Sequence, residues 1–423
     1  MKEDFLHYVW KFQKFITQDL QAIRGEVIEI ISPGQHNLNT GPDFFNAQLR
    51  IDGQQWAGNV EIHIKSSDWY AHHHERDPAY DSVILHVVWE YDAAIFRNDN
   101  SELPTLVLKN LVQSDAQTSY QQLFFSEERW IACELHFPKI EPFLVKHWLG
   151  SLFFERLEQK NERLLQQLEI SKYHWDALFF VTLGANFGLK VNGEAFKSIA
   201  ESVDFSIITK YAQQALALEC LLFGQAGLLD GANEDPHFQE LKERYAFIKN
   251  KHSLSTKGVI MPKYFRLRPP NFPTIRLSQF AALWSQHPHL FSKMIEADSR
   301  QALHALFKAS ASDYWDKHYN FGVVSVCRKK TITSAFIDLL LINTVIPIKF
   351  CYAKFQGKDI SEALIELAES IPKEKNAIVS RFDTLQPIAQ NAFDSQGLLQ
   401  LKNNYCSKNR CMHCAIGIQY LKE

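Results

Sequence analysis

The 423-residue chain lacks a strong excess of either charge, since 45 basic residues stand against 48 acidic residues and the formal net charge is −3. Proteins that coat nucleic acid without specificity carry a large basic excess, so this balance argues against that class and still allows a local basic groove. Hydrophobic residues make up 46% of the chain and include 31 Phe. A chain of this length and composition is expected to fold into two or three domains with large cores.

The sequence also lacks the marks of export or membrane insertion. The N-terminal stretch "MKEDFLHYVWKFQKF" is amphipathic and carries acids, whereas a signal peptide has a basic start and an apolar run. The longest apolar stretch, residues 334–350, is short for a membrane span and is interrupted by Asp338, Asn343 and Pro347. Seven cysteines is an odd number, mostly scattered, so no disulfide framework is expected. We therefore expect a cytoplasmic protein without a membrane partner.

Hydrophobic periodicity predicts mixed secondary structure in the first quarter of the chain. Apolar residues at three- and four-residue steps predict a helix over residues 5–22. Alternating or continuous apolar segments then predict five strands, over residues 26–31, 45–52, 56–65, 82–91 and 105–110. The segment 82–91 is apolar on both faces, which is typical of a central strand.

After about residue 120 the pattern becomes mainly helical, beginning with a long amphipathic helix over residues 142–169. The sequence therefore predicts an α+β protein. Residues 1–120 form a mixed α/β head, and residues 121–423 form a larger, mainly α-helical body that includes the C-terminal cysteines.

The order of elements in the head is helix, three strands, a short crossover and another strand. Asp43, in "GPDF", opens the second strand, and Glu61 and Lys65 lie on one face of the third. This arrangement resembles the PD-(D/E)XK nuclease core, a restriction-endonuclease-like fold. The resemblance implies that Asp43 and Glu61 hold Mg²⁺ or Mn²⁺, which activates water against a phosphate. It also implies that a lysine supports the nucleophile or the developing charge.

The sequence departs from that core at one important position. The expected Glu-x-Lys is Glu61-Ile62-His63 here, and Lys65 follows two residues later. Either His63 replaces the lysine, or it replaces the acid before Lys65, or the match is accidental and the strand is simply half-exposed. All three polar side chains share one face of a strand. Four residues are thus candidate catalytic residues: Asp43, Glu61, His63 and Lys65.

Histidines near this strand predict a second kind of site. Borderline-soft metals such as Zn²⁺ prefer imidazole ligands, and a hydrolase acting on a small molecule could use three histidines and one acid: His63, His74 and His86 with Asp68 or Asp77. The alternative is that residues 72–75 form a solvated turn, while His86 is a core histidine with a hydrogen-bond partner.

A basic, aromatic segment in the body, residues 249–276, contains seven Lys or Arg and no acid. Phosphate contacts from Arg266, Arg268 and Arg276, together with aromatic stacking, would suit a nucleic acid. Proline-rich arginine segments also serve as connectors whose guanidinium groups hold neighbouring helices together, so both interpretations stay open.

The C-terminus carries three cysteines in a C-x4-C-x2-C arrangement: Cys406, Cys411 and Cys414. Closely spaced thiolates suit zinc or an iron–sulfur cluster, and either group needs a fourth ligand from elsewhere. Cys133 and Cys327 are the candidates, because His413 is directly adjacent to Cys414. Some PD-(D/E)XK nucleases carry an iron–sulfur cluster near the C-terminus. The alternative is that these are inert, buried cysteines.

Taken together, "NTGPDF", "VEIHIKSSDW", "LHVV", "RLRPPNFPTIRL" and the terminal cysteines resemble an uncharacterised bacterial family, domain of unknown function 2851, over the full length. The resemblance implies no activity and indicates that head and tail cooperate. Our leading hypothesis is a metal-dependent nuclease-like protein that acts on or binds nucleic acid. The alternatives are a non-catalytic nucleic-acid or protein-binding module on the same scaffold, or a histidine-based metallohydrolase.

Overall fold

The computed structural model describes residues 2–37, 40–112, 118, 120 and 129–422, and 54% of the structure is helical. The chain forms two compact units. Unit 1 comprises Met1–Trp148 and Leu401–Glu423, and unit 2 comprises Leu149–Gln400. The predicted α+β class, with an N-terminal sheet and a larger helical body, is confirmed.

Unit 1 is organised around a mixed sheet. Its described strands are β1 Leu20–Gln21, β2 Val27–Ser32, β3 Gln35–His36, β4 Phe44–Ile51, β5 Gln54–Lys65, β6 Val83–Glu90 and β7 Thr105–Val107. Their order is β1-β2-β4-β5-β6-β7, and β3 pairs with β4. The pairs β2–β4 and β4–β5 are antiparallel, whereas β5–β6 and β6–β7 are parallel.

The burial of the strands follows their sequence patterns. In β4, Ala47, Leu49 and Ile51 are buried and the residues between them are exposed, as alternation requires. In β6, every residue from Val83 to Val88 is buried, and the strand lies between β5 and β7. The prediction of a central strand is therefore confirmed.

The first helix, α1, spans Glu3–Lys11 and packs against β5. The prediction that it continues to residue 22 is wrong. After Lys11 the backbone turns, with a φ of 49° at Gln13, and buried Phe15 forms a β-bridge with Val112. Phe15 and Leu20 thus reach the core from irregular chain and from β1, whereas Ile16 is exposed, so the helical spacing is a coincidence.

Unit 2 is mainly helical. Its helices are Trp175–Phe187, Leu189–Glu201, Phe205–Tyr211, Ala215–Gln225, Pro236–His252, Pro273–Gln286, Leu290–Glu296, Arg300–Leu306, Ser334–Leu340, Ile346–Phe355, Ser361–Ser370, Ala377–Leu385, Ala392–Gln400 and most of Pro142–Ile170. A short hairpin pairs β8 His318–Asn320 with β9 Val323–Val324. The remaining described α-helices, Asp68–Ala71 and Ala415–Lys422, belong to unit 1. Aromatic side chains such as Phe180, Phe280 and Trp284 pack together in the core of unit 2.

One helical run among the described residues, Ser334–Phe355, is long and apolar enough to cross a membrane by length and composition. Its centre is a π-helical turn, Leu341–Val345. Since 61% of its apolar window is buried inside the structure, the run also fits the pattern of a core helix.

Candidate metal centre

Two acids from neighbouring strands meet at one face of the sheet in unit 1. Phe44 of β4 pairs with Val60 of β5, so Asp43 and Glu61 lie side by side. The backbone N–H of Asp43 donates to Glu61 Oε2 at 3.1 Å. The backbone N–H of Ile62 donates to Asp43 Oδ2 at 3.0 Å. Each carboxylate is therefore fixed by the backbone of the other strand, and Glu61 is only 4% exposed.

Helix α1 adds two more titratable groups to this face. His7 Nε2 lies 3.2 Å from Asp43 Oδ2. Burial raises the pKa of Glu3 to about 7, and the nearby charges of Asp43 and Glu61 also raise it, while His7 lowers it. Glu3 and His7 are one helical turn apart on α1, a spacing that places both on one face of the helix. Neither residue was predicted as a site residue from the sequence, although this spacing was the available signal.

A histidine cluster adjoins Glu61. His63 Nε2 lies 3.0 Å from His72 Nδ1, and Glu61 Oε1 lies 3.5 Å from His63 Nε2 and 3.3 Å from His74 Nε2. One nitrogen from each of His63, His72 and His74 falls within 4.8 Å of the other two. On its other side, His63 Nδ1 lies 2.8 Å from His86 Nε2. The four imidazoles thus form a continuous group beside the acids.

The crossover after β5 positions two of these histidines. His73 adopts a left-handed conformation with a φ of 61°, which reverses the chain between His72 and His74. Tyr80 stacks on His74 with ring centroids 3.7 Å apart. Buried Trp69 contacts His74 edge-on at 5.4 Å. The crossover is therefore held in place by packing, and its His72 and His74 contact His63 of β5.

Burial sets the protonation of the site. Desolvation raises the pKa of Glu61 to about 9, and the charge of Asp43 adds to this effect. Desolvation and the neighbouring imidazoles lower the pKa of His63 to about 2. Burial, with a smaller contribution from His74, lowers the pKa of His86 to about 3. The buried histidines are therefore neutral at pH 7, which is the form that binds metals.

The donor set fits a divalent cation. Glu61 Oε1, His63 Nε2, His72 Nδ1 and the His74 imidazole offer one oxygen and three nitrogens, a combination suited to Zn²⁺ or Mn²⁺. Asp43 adds a hard oxygen next to this group. His86 contacts the opposite nitrogen of His63, the position from which an outer partner orients a ligating imidazole. Nδ1 of His86 itself has no hydrogen-bond partner among the described residues.

A family model described as "Protein of unknown function (DUF2851)" matches residues 3–377. The chain belongs to this family. The membership confirms the family resemblance seen in the sequence and assigns no activity. No curated protein matches the chain, and no solved structure matches it.

The structure gives the positions of the site residues that the sequence predicts. The structure brings together Asp43, Glu61 and His63. Lys65 is exposed near the end of β5, and its backbone N–H donates to Asp68 Oδ2 at 2.9 Å. The metal-group histidines are His63, His72 and His74, whereas the sequence analysis favoured His86 over His72. His72 lies in a loop whose direction the strand pattern does not determine.

The predicted arginines of unit 2 separate into two kinds. Arg266 and Arg268 are exposed. Arg276 is buried; it donates to Gln279 Oε1 at 2.9 Å and to Asn271 Oδ1 at 2.6 Å. Its guanidinium also lies 3.6 Å from the centre of a Phe336 ring. This burial argues against the predicted phosphate contact of Arg276 and agrees with the alternative in which an arginine holds neighbouring elements together.

The C-terminal cysteines, assigned to the body in the sequence analysis, lie in unit 1. Cys133 joins them around one small cavity lined by all four side chains: Cys133, Cys406, Cys411 and Cys414. Cys327, the other candidate for a fourth ligand, is exposed in unit 2.

Proposed function

We propose that unit 1 is a metal-dependent nuclease-like domain that hydrolyses phosphodiester bonds in nucleic acid. The observation that carries the proposal is the fixed contact between Asp43 and Glu61 on neighbouring strands, with His63 two residues after Glu61 on the same face. The order of elements also supports it: α1, the antiparallel strands β2, β4 and β5, a crossover, and β6 parallel to β5. This is the order expected of a PD-(D/E)XK core.

Asp43 and Glu61 would hold a divalent cation, with imidazoles from His63, His72 and His74 completing the donor set. Such a cation supplies an activated water and polarises a phosphoryl oxygen. The chain's own contribution is to keep the imidazoles neutral and the carboxylates close together. Lys65, on the exposed end of the same strand face, is placed to attract a phosphate group.

The test is cleavage of short labelled DNA and RNA strands with Mg²⁺ or Mn²⁺ present. We expect cation-dependent cleavage by the unaltered protein and its loss in Asp43→Asn, because the amide cannot supply the same negative charge to a cation. Asp81→Asn is a matched control, since Asp81 is exposed on the surface. Circular dichroism establishes that each variant is folded.

Three results would contradict the proposal: equal cleavage by Asp43→Asn, cleavage that persists in EDTA, or no cleavage of either nucleic acid by metal-loaded protein. Binding of nucleic acid that survives EDTA without cleavage would instead indicate a non-catalytic binding module.

A histidine-based metallohydrolase acting on a small molecule is the second candidate. It is favoured by the close group of His63, His72 and His74, which resembles the ligand sets of catalytic zinc more than those of magnesium. It predicts one tightly held Zn²⁺ or Mn²⁺ per unit 1, lost in His72→Ala, and hydrolysis of small phosphate or carboxylate esters. If the metal-loaded protein cleaves nucleic acid and leaves such esters intact, this candidate is excluded.

A further inference from the structure

A second group of potential ligands in unit 1 lies outside the histidine–carboxylate site. Cys133 comes from a segment before residue 148, and the other three cysteines come from the last 23 residues. All four side chains line the same small cavity, whose other walls are mainly apolar, such as Phe137 and Leu401. The remaining cysteines of the chain, Cys220, Cys327 and Cys351, belong to unit 2. Every cysteine of unit 1 therefore lines this one cavity.

The local backbone is built to bring these sulfurs together. The turn Cys406–Lys408 is followed by Asn409, whose φ of 51° reverses the chain towards the turn Cys411–His413. Gly417 approaches so closely that an added Cβ would lie 2.3 Å from the carbonyl oxygen of Cys411. Only glycine fits at that position.

Cys133 is held just as firmly, because its carbonyl accepts hydrogen bonds from the N–H groups of His136 at 3.0 Å and Phe137 at 2.8 Å. The convergence of the four thiols is thus a property of the local folds of both segments.

The separation of the sulfurs indicates which group they would hold. All seven cysteines are free thiols, so no disulfide explains the cluster. Tetrahedral coordination of one Zn²⁺ would place the sulfurs about 3.8 Å apart. Among the described residues, no three cysteine sulfurs lie mutually within the 4.8 Å that the three histidine nitrogens satisfy. The set is therefore wider than a single zinc ion requires.

We propose that Cys133, Cys406, Cys411 and Cys414 hold an iron–sulfur cluster. Such clusters are bound by four cysteine thiolates, and the C-x4-C-x2-C run matches the first three ligands of plant-type [2Fe–2S] proteins, while the distant cysteine precedes the run here instead of following it. A cluster spreads its ligands farther apart than one ion does. This assignment does not depend on the proposed nuclease function, because it concerns different residues and a different metal.

The surroundings of the sulfurs suit a metal-bound thiolate. Burial raises the pKa of all four thiols, that of Cys411 to about 12, so without a metal they stay protonated. For Cys414, the backbone N–H groups of Gly417 and Ile416 lower the pKa against this effect of burial. N–H groups directed at a sulfur stabilise a thiolate and tune a cluster's reduction potential. Loading the cluster would release the four thiol protons into solvent.

The full chain, purified without oxygen, tests this assignment. We expect about two or about four iron atoms per chain with as many acid-labile sulfides, either of which supports a cluster and sets its type. We also expect a broad visible absorption band that bleaches with dithionite, and a paramagnetic resonance signal in one of the two oxidation states. Iron and sulfide should fall at least fivefold in Cys133→Ser and in Cys406→Ser.

Cys351→Ser is the matched control, since Cys351 is buried in unit 2 and should keep its full complement of iron. If Cys133→Ser does not fold, Cys406→Ser and the spectra of the unaltered chain still decide the question. Zinc without sulfide would overturn the assignment. It would equally be overturned by an absence of iron after anaerobic reconstitution with ferrous iron and sulfide, or by equal iron loss in Cys351→Ser.

Discussion

Units 1 and 2 both bury charged and polar side chains, and they satisfy them in different ways. In unit 2, buried Glu219 accepts hydrogen bonds from Trp315 Nε1 at 2.5 Å and from Ser312 Oγ at 3.1 Å. In unit 1, buried Glu61 lies beside Asp43, another acid, and beside imidazoles whose neighbours are further imidazoles. Glu219 is therefore paired with two side-chain donors, whereas Glu61 lies among like groups and accepts a backbone N–H from Asp43.

The difference between the two units indicates where a bound cation would be expected. The guanidinium of Arg276 and the ammonium of Lys330, both in unit 2, are held by acceptors of the protein itself. For the crowded carboxylates and neutral imidazoles of unit 1 we expect a cation as the partner, because a cation can accept electron pairs from all of them. Perturbed groups of this kind cluster at functional sites more often than in structural cores. We therefore expect an external cation to bind beside Glu61 in unit 1 rather than beside Glu219 in unit 2.

The largest expected effect on stability is in unit 2. Glu219→Ala leaves the buried donors of Trp315 and Ser312 without their acceptor, which should lower the free energy of unfolding by about 1–3 kcal/mol. Urea unfolding measures this loss, and metal content should stay unchanged. Glu219→Gln keeps an acceptor oxygen and should cost less. Unchanged stability in Glu219→Ala would contradict the view that the hydrogen bonds of Glu219 with Trp315 and Ser312 stabilise unit 2.

Arginine substitutions in unit 2 should give the next largest change in stability. They also distinguish an arginine that stabilises the fold from one that binds nucleic acid. Arg276→Lys loses the forked hydrogen bonds to Gln279 and Asn271 and the stacking on Phe336, so we expect a loss of about 1–2 kcal/mol. Arg268→Ala, at an exposed position, should leave stability within about 0.5 kcal/mol. Thermal unfolding and fluorescence anisotropy with labelled nucleic acid measure the two properties.

If this segment binds nucleic acid, we expect the contact from the exposed Arg266 and Arg268 and not from the buried Arg276. Weaker binding of labelled nucleic acid by Arg266→Ala and Arg268→Ala, measured by fluorescence anisotropy, would support this contact. Unchanged binding in both variants would exclude the segment as a contact surface.

In metal-free unit 1 the expected effect is smaller and opposite in sign. Glu61 has a folded pKa of about 9 against an ordinary value of 4.5, so its stabilising contribution is complete below about pH 4.5 and is lost as the pH rises towards 9. Glu61→Gln removes this loss because the amide is neutral. In EDTA we therefore expect the variant to melt at a higher temperature than the unaltered chain at about pH 8.

At about pH 5 the same difference should nearly vanish, because both folded forms are then neutral at this position. A difference that is independent of pH would mean that the acid pair does not strain the metal-free fold. Adding Mn²⁺ provides the internal control, since the cation should raise the melting temperature of the unaltered chain more than that of Glu61→Gln.

Much of the fold could be predicted from periodicity, because strands of a sheet with one or two buried faces carry regular patterns. The alternation of Ala47, Leu49 and Ile51 predicted β4, and the apolar run of β6 predicted a central strand. The end of α1 could not be predicted, because the left-handed turn at Gln13 depends on where Phe15 finds its place in the core.

The site was only partly predictable for the same physical reason. Period-two alternation places Glu61 and His63 on one face without further information. The contribution of His72 depends on the left-handed backbone of His73, and that of His7 depends on how α1 packs against β5. Cys133 was one of two equal candidates in the sequence, and only tertiary structure distinguishes it from Cys327. Local sequence patterns do not predict which residues a loop or a distant segment contributes to a site.

The smallest expected effect concerns Lys65, and it decides between two interpretations of the departure from Glu-x-Lys. Lys65 is exposed, so Lys65→Ala should change the free energy of unfolding by no more than about 0.5 kcal/mol and should leave metal content unchanged. If His63 occupies the lysine's position in the core, cleavage should fall less than about tenfold, since only a peripheral charge is lost. A loss of 10²-fold or more would assign the phosphate-contacting role to Lys65. His63 would then be a metal ligand, a role that metal content in His63→Ala tests directly.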